Sequence, residues 1–184
     1  MNALTTWSLE QTSPADLLPA REPEAVAAGS LRVVRAEVPS PELNRFLYTA
    51  VGGGLEWTDR LVWSREEWLA FLTRPGVETW VAYDRGTPAG YIELDAQADG
   101  VVEISYFGLL PDFHGRGFGG FLLSYGTARA WDLAGRWPQR PATRRVWVHT
   151  CSKDGPYALR NYERRGFRVF DVTTEPTEPD ASSA

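Results

Sequence analysis

The chain has little of what disulfides, metal sites and membrane spans require. Its 184 residues include one cysteine, Cys151, two histidines, His114 and His149, and one lysine, Lys153. A single thiol closes no intramolecular disulfide, and with two imidazoles it completes no zinc site of the usual kind, so a reducing compartment and no structural metal are expected. No apolar run approaches the roughly 20 residues that span a bilayer, and residues 1–18 lack a basic start followed by an apolar stretch; a cytoplasmic chain without membrane contact is expected. The 19 basic residues against 24 acidic ones leave a net charge of −5 with no long run of one sign, which disfavours nucleic acid and anionic surfaces as partners. That a single lysine stands among the basic residues matches GC-rich bacterial coding and carries no mechanism.

What is present is a core. Hydrophobic residues make up 43% and aromatics 12%, with eight tryptophans, enough to exclude wholesale disorder. The length reads as one domain against a prior of roughly 100 to 200 residues each. Residues 1–30, with Pro14, Pro19 and Pro23, read as an arm with a short strand at Trp7–Thr12; residues 31–174 read as the domain, and the acidic segment 175–184 as a disordered tail. A strand over Leu31–Val38 precedes a helix capped by Ser40, with Pro41 at its first position and an end at Gly52. Ser64 and Glu67 have capping-box spacing for a second helix to about Arg74. After Pro75 the period changes to two, giving strands at Val77–Tyr83, Ala89–Asp95 and Val101–Leu110, joined by turns short enough to make them antiparallel neighbours. A helix over Arg116–Leu133, a strand over Arg145–Cys151, a helix over Pro156–Arg165 ended by Gly166, and a strand near Phe167–Val172 follow.

The most informative string runs from Leu109 to Gly120, a strand entering a glycine-rich turn that opens a helix. Backbone N–H groups at such a helix start have no intrahelical partner, and the helix dipole adds positive potential, so the turn suits a pyrophosphate. Gly115, Gly117 and Gly120 also satisfy the dinucleotide pattern G-x-G-x-x-G, but the context rejects it. The preceding strands form an antiparallel meander, and Arg140 stands about where a Rossmann unit needs an acid. The Lys-Ser/Thr pair of a P-loop is missing as well.

His114-Gly115-Arg116-Gly117-Phe118-Gly119 resembles motif A of the GNAT superfamily of N-acetyltransferases, Gln/Arg-x-x-Gly-x-Gly/Ala, with His114 as the one departure. Ala158 to Phe167, with Tyr162, Glu163 and Gly166, is similar to the same family's C-terminal signature, A-x-x-x-Y-[EK]-x-x-G-F. The resemblance covers about residues 77–172. It implies an α/β fold with a mixed, mostly antiparallel sheet of six or seven strands and four helices. It also implies direct acetyl transfer from acetyl-CoA, bound as a cosubstrate, to an amine, with no metal.

The resemblance assigns four tasks. The pyrophosphate cradle falls to His114, Gly115, Arg116, Gly117, Phe118, Gly119 and Gly120, with Asp154 and Asn161 beside it. A splayed strand over Phe107, Gly108, Leu109 and Leu110 binds the pantetheine arm and polarises the thioester, Gly108 marking a bulge or a close approach. A base must remove a proton from the ammonium; Glu103 matches the catalytic glutamate of histone-type members, with Glu93 and His149 in reserve. On a two-residue period Glu103 shares a face with Ser105, Phe107 and Leu109, apolar surroundings that raise a carboxyl pKa. Tyr162 matches the tyrosine that protonates the departing thiolate. For the acceptor, Trp57 and Glu93 are candidates within an aromatic pocket that also draws on Trp63, Trp68, Trp80, Glu56, Asp59 and Arg60. The expected partner is a small-molecule amine; a protein-modifying transferase and a non-catalytic acyl-CoA sensor are the alternatives, and a homodimer is left open.

Overall fold

The computed structural model describes residues 3–176. A seven-stranded sheet carries strands β1 (Ala3–Gln11), β2 (Leu31–Arg35), β3 (Val77–Asp84), β4 (Thr87–Ala96), β5 (Val101–Leu109), β6 (Arg145–Cys151) and β7 (Arg168–Pro176), in the order β2-β3-β4-β5-β6-β1-β7. All neighbours are antiparallel except β5 and β6. Five α-helices, α1 (Glu24–Ala27), α2 (Pro41–Gly52), α3 (Arg65–Leu72), α4 (Phe118–Trp131) and α5 (Ala158–Arg164), accompany it; the one-turn α1 is the helix beyond the four expected.

Local chemistry accounts for these elements. Ser40 Oγ accepts from Leu43 N at 3.2 Å to cap α2, and the box at α3 is closed both ways, Ser64 Oγ from Glu67 N at 3.1 Å and Glu67 Oε2 from Ser64 N at 2.7 Å. Arg85 and Gly86 both adopt positive φ, the two-residue turn that fits the twist of the β3–β4 hairpin. α4 packs Leu122, Leu123 and Ala130 against Ile92, Leu94, Val102, Ile104 and Val146, while α2 and α3 bring Leu47, Tyr48, Val51 and Trp68 to the opposite face over Val77, Val81 and Tyr91. At roughly 1.5–3 kcal/mol for each buried Leu or Ile, these two layers supply the main attraction that holds helices to sheet.

The largest departures from the sequence reading lie at one edge of the sheet, where the two ends of the chain meet. The segment expected as an arm supplies a nine-residue strand, β1, set between β6 and β7. β7 in turn continues through Glu175 and Pro176, inside the expected tail, because Ala3 and Leu4 pair with Pro176 and Glu175. The rest of that tail, 177–184, lies outside the described residues.

Candidate active site

The pairing of β5 with β6 stops early. Val101, Val102 and Glu103 face Arg145, Val146 and Trp147, and no pairing follows, although β5 runs on to Leu109 and β6 to Cys151. The strands diverge, and the peptide edges thus released open on a cleft of about 1180 Å³. Residues 104–109 of β5 and 148–151 of β6 line its walls, the glycine turn closes one side, and Trp57, Tyr157 and Tyr162 reach in from other elements.

The turn is left-handed at Gly115 and Gly117, φ 75° and 76°, a conformation that costs other residues roughly 1–2 kcal/mol. Gly117 caps α4 with no side chain, so the N–H groups that open the helix are left to an external acceptor. Gly115, Gly117, Gly119 and Gly120 all line the cleft. Three members of the expected cradle are engaged elsewhere, and the Phe118 side chain is one of them, buried in the core on the α4 side and outside the cleft lining. His114 N donates to Pro111 O at 3.2 Å and its ring Nε2 lies 3.2 Å from Leu109 O, so what it brings to the cleft is its ring. The Arg116 guanidinium turns away to Asp84, 2.8 Å, and stacks on Phe118 at 4.4 Å, which anchors the turn. Leu110 N is likewise taken, by Ala89 O at 2.9 Å.

Gly108 is required by packing: a Cβ there would stand 2.5 Å from Val51 Cγ1 of α2. The bulge lies elsewhere. Glu93 pairs with Tyr106 and Leu94 with Ile104, so Ser105 is the extra residue. This shift of phase overturns the expected face: Ile104, Phe107 and Leu109 join the α4 side, whereas Tyr106 joins α2 and α3 on the other side. Glu103 is consequently in polar company. Gln97 Nε2 donates to its Oε2 at 2.7 Å, Trp147 Nε1 donates to Gln97 Oε1 at 3.1 Å, and His149 Nδ1 stands 3.6 Å from its Oε1. Burial raises the Glu103 carboxyl, the Asp95 charge raises it further, and Arg60 opposes both. Glu103 does not itself line the cleft; His149 does.

Glu93 is buried and lies outside the cleft, which removes it as an acceptor contact. Arg60 Nη1 donates to both of its oxygens, at 2.8 and 3.0 Å. Burial pushes Glu93 up against the pull of that guanidinium. Part of the expected aromatic cage exists, but its occupant is internal. The Arg60 guanidinium sits 4.2 Å from Phe71, 4.6 Å from Trp63 and from Tyr106, and 5.5 Å from Trp68. Trp80 belongs to another cluster, against Tyr125 and Arg136. Trp57 alone of the four tryptophans lines the cleft, its ring tilted against Tyr106 at 4.8 Å, with Glu56, Thr58 and Asp59 beside it.

Tyr162 reaches the cleft from α5, 6% exposed and wedged between Phe107 and Phe167. Burial, then the Asp154 charge, holds its phenol well above the usual range, so it stands protonated as a donor must. Asp154 spends its carboxylate on the loop before α5, accepting from Cys151 N and Thr150 Oγ1 at 2.8 Å each and from Trp57 Nε1 at 3.4 Å. Asn161 lines the cleft near Gly120. The sequence reading missed Arg160 and Arg164, which also line it; their i, i+4 spacing within the α5 signature was the available signal. It also missed the contact over the cleft between Lys153 Nζ and Glu56 Oε2, at 2.5 Å. Among the described residues no three His, Cys, Asp or Glu gather as a metal site requires, and no helix is long and apolar enough to cross a membrane.

The profile of the acetyltransferase (GNAT) family matches residues 42–167. The fold is similar to a GCN5-related N-acetyltransferase from Kribbella flavida, with a TM-score of 0.63 and 19% identity over 92% of this chain and 56% of that one. A GCN5-related N-acetyltransferase from Sphaerobacter thermophilus is similar at a TM-score of 0.66 and 19% identity, over 94% of this chain and 50% of that one. An aminoglycoside acetyltransferase from an uncultured soil metagenomic sample, in complex with sisomicin, matches at a TM-score of 0.57 and 14% identity, over 74% of this chain and 87% of that one. The chain thus spans about half the length of the first two, and at these identities the likeness is one of fold. No curated protein matches the sequence.

Proposed function

The chain belongs to the acetyltransferase (GNAT) family, and from that premise we propose that it transfers an acetyl group from acetyl-CoA to the primary amine of a small molecule. The observation that carries the reading is the parting of β5 and β6 beside the glycine turn, which leaves two runs of unpaired peptide groups facing one cleft. The residues present fit acetyl-CoA. The amides from Gly115 to Gly120 suit its pyrophosphate, Arg160, Arg164 and Asn161 stand by for its phosphates, and the free edge over Phe107–Leu109 suits the pantetheine amides. When bound, acetyl-CoA supplies an activated acyl carbon. The edge amides orient it and stabilise charge on its oxygen, Tyr162 donates a proton to the leaving sulfur, and Glu103 provides the carboxylate on the base side.

A small acceptor is favoured over a peptide because the loops 54–59 and 152–157 meet above the cleft, through Glu56 with Lys153 and Trp57 with Asp154. An extended chain needs an open groove. Glu56, Asp59, Trp57 and Tyr106 offer negative charge and aromatic faces to a cationic amine. Sisomicin, the ligand of the soil-sample neighbour, belongs among the amines tried. Acetyl-CoA should raise the melting temperature, and thiol release should follow addition of one of sisomicin, spermidine or lysine methyl ester. No shift at millimolar acetyl-CoA would remove the reading, and a shift without thiol release, or release only with peptides, would turn it to a sensor or a protein-modifying enzyme.

A further inference from the structure

We infer that His149 is the group that takes the proton from the acceptor ammonium, and that Glu103 acts through it as a positioning residue. This rests on the transferase reading above and names a residue in that same site. Four observations converge. His149 lies two residues beyond Trp147, the last residue of β6 paired with β5, so it stands just past the point of divergence. It lines the cleft with a half-exposed side chain, while Glu103 lies behind it, 16% exposed and outside the lining. Its Nδ1 faces Glu103 Oε1 at 3.6 Å, and Nε2 has no hydrogen-bond partner among the described residues. Glu103 is itself held by the chain from Trp147 through Gln97, at 3.1 and 2.7 Å.

From that position the Glu103 carboxylate stabilises the cation that forms during the reaction, leaving the other nitrogen to work. The charged groups around the pair are Glu103 and Asp95 from β5 and β4, Arg74 paired with Asp95, and Arg60 paired with Glu93. On the β1 side the residue opposite His149 is Ser8, and the nearby Glu10 is taken by Arg145. In the reaction, His149 Nε2 accepts one proton from the ammonium. The freed lone pair makes the C–N bond to the acetyl carbon as the C–S bond breaks and its electron pair leaves on sulfur. Tyr162 protonates that sulfur and recovers a proton from the new amide nitrogen, and His149 returns its own to water. The sum is ammonium plus thioester to amide, thiol and one proton.

The test uses the full chain, acetyl-CoA and the three amines above. His149→Ala should lower kcat by about 100-fold, keep acetyl-CoA binding and melting temperature, and regain activity with imidazole in the buffer. Glu103→Gln should lower kcat by about tenfold while the acetyl-CoA affinity and the acceptor KM hold, because the imidazolium formed in the reaction loses its neighbouring anion. With two histidines in the chain, the His149 ring is assignable by NMR, and its ring nitrogen shifts, which report the tautomer, should change in Glu103→Gln with no acceptor present. A His149→Ala enzyme with full turnover, or a ring that does not respond to Glu103→Gln, overturns this inference and leaves the transferase reading standing. A wild-type chain that transfers to no amine overturns both.

Discussion

Between Gly115 and Gly120 the cleft is lined by glycines, whereas between Leu55 and Asp59 side chains line it, backed through Tyr106 by the Arg60 cage outside the cleft. The first wall needs only two positive-φ glycines and a helix start, all specified by neighbouring residues. The second depends on Arg60 finding Glu93, 33 positions away on β4, inside rings supplied by α3 and β5. A wall of amides binds the same anion whatever the surrounding sequence. A wall of side chains changes its ligand with a few substitutions.

Breaking the side-chain wall should cost the most stability. Arg60→Met leaves the buried Glu93 without its partner and should remove about 3–5 kcal/mol by urea denaturation, with Glu93→Gln in the same chain restoring most of it. The sign with pH follows from the raised Glu93 carboxyl. Its folded pKa lies above the unfolded one, so its contribution is intact below the unfolded value and is lost as pH rises through the folded one. Loss of the guanidinium widens that window, so Arg60→Met should be less destabilised at pH 4.5 than at pH 8, roughly the unfolded carboxyl value against full ionisation. An equal loss at both would place the Glu93 proton elsewhere.

Tyr162→Phe should leave the fold intact and slow kcat by about 10- to 100-fold, with acetyl-CoA affinity within about twofold by calorimetry. Parallel losses of affinity and stability would return Tyr162 to a packing role between Phe107 and Phe167. On the amide wall, Gly117→Ala strains the turn by about 1–2 kcal/mol at φ 76°, and acetyl-CoA affinity should fall by about tenfold while the acceptor KM holds. The smallest effect belongs to Lys153→Ala. The Lys153–Glu56 pair is exposed, and its loss should change stability by less than about 1 kcal/mol, leaving a modest rise in acceptor KM.

The same contrast separates what could be read in the sequence from what could not. The glycine turn, the Ser64–Glu67 box and β6 at Arg145–Cys151 were legible because local chemistry specifies each. Tyr162 was singled out by the resemblance of the α5 string to the family signature, and it lines the cleft. The bulge at Ser105 was not, since no residue there demands one, and one uncounted residue was enough to turn Glu103 from apolar neighbours to Gln97 and His149. Residues 3–11 looked weak as a strand because their β character comes from partners supplied on both sides by β6 and β7. The aromatic spacing announced a cage and was silent on its occupant, because a guanidinium of the same chain satisfies the rings as well as a ligand does.

The position of β1 has a consequence for the order in which the protein is made. Thr6 faces Cys151 and Thr173, so a ribosome releases this strand long before either flanking strand exists. Until then its edges are open to chance association, and the growing chain must shield them or leave them to a chaperone. Loops this long also close slowly. The wall carried by β6 is therefore secured late, and a nascent chain should acquire affinity for acetyl-CoA only once Val172 and Thr173 have emerged.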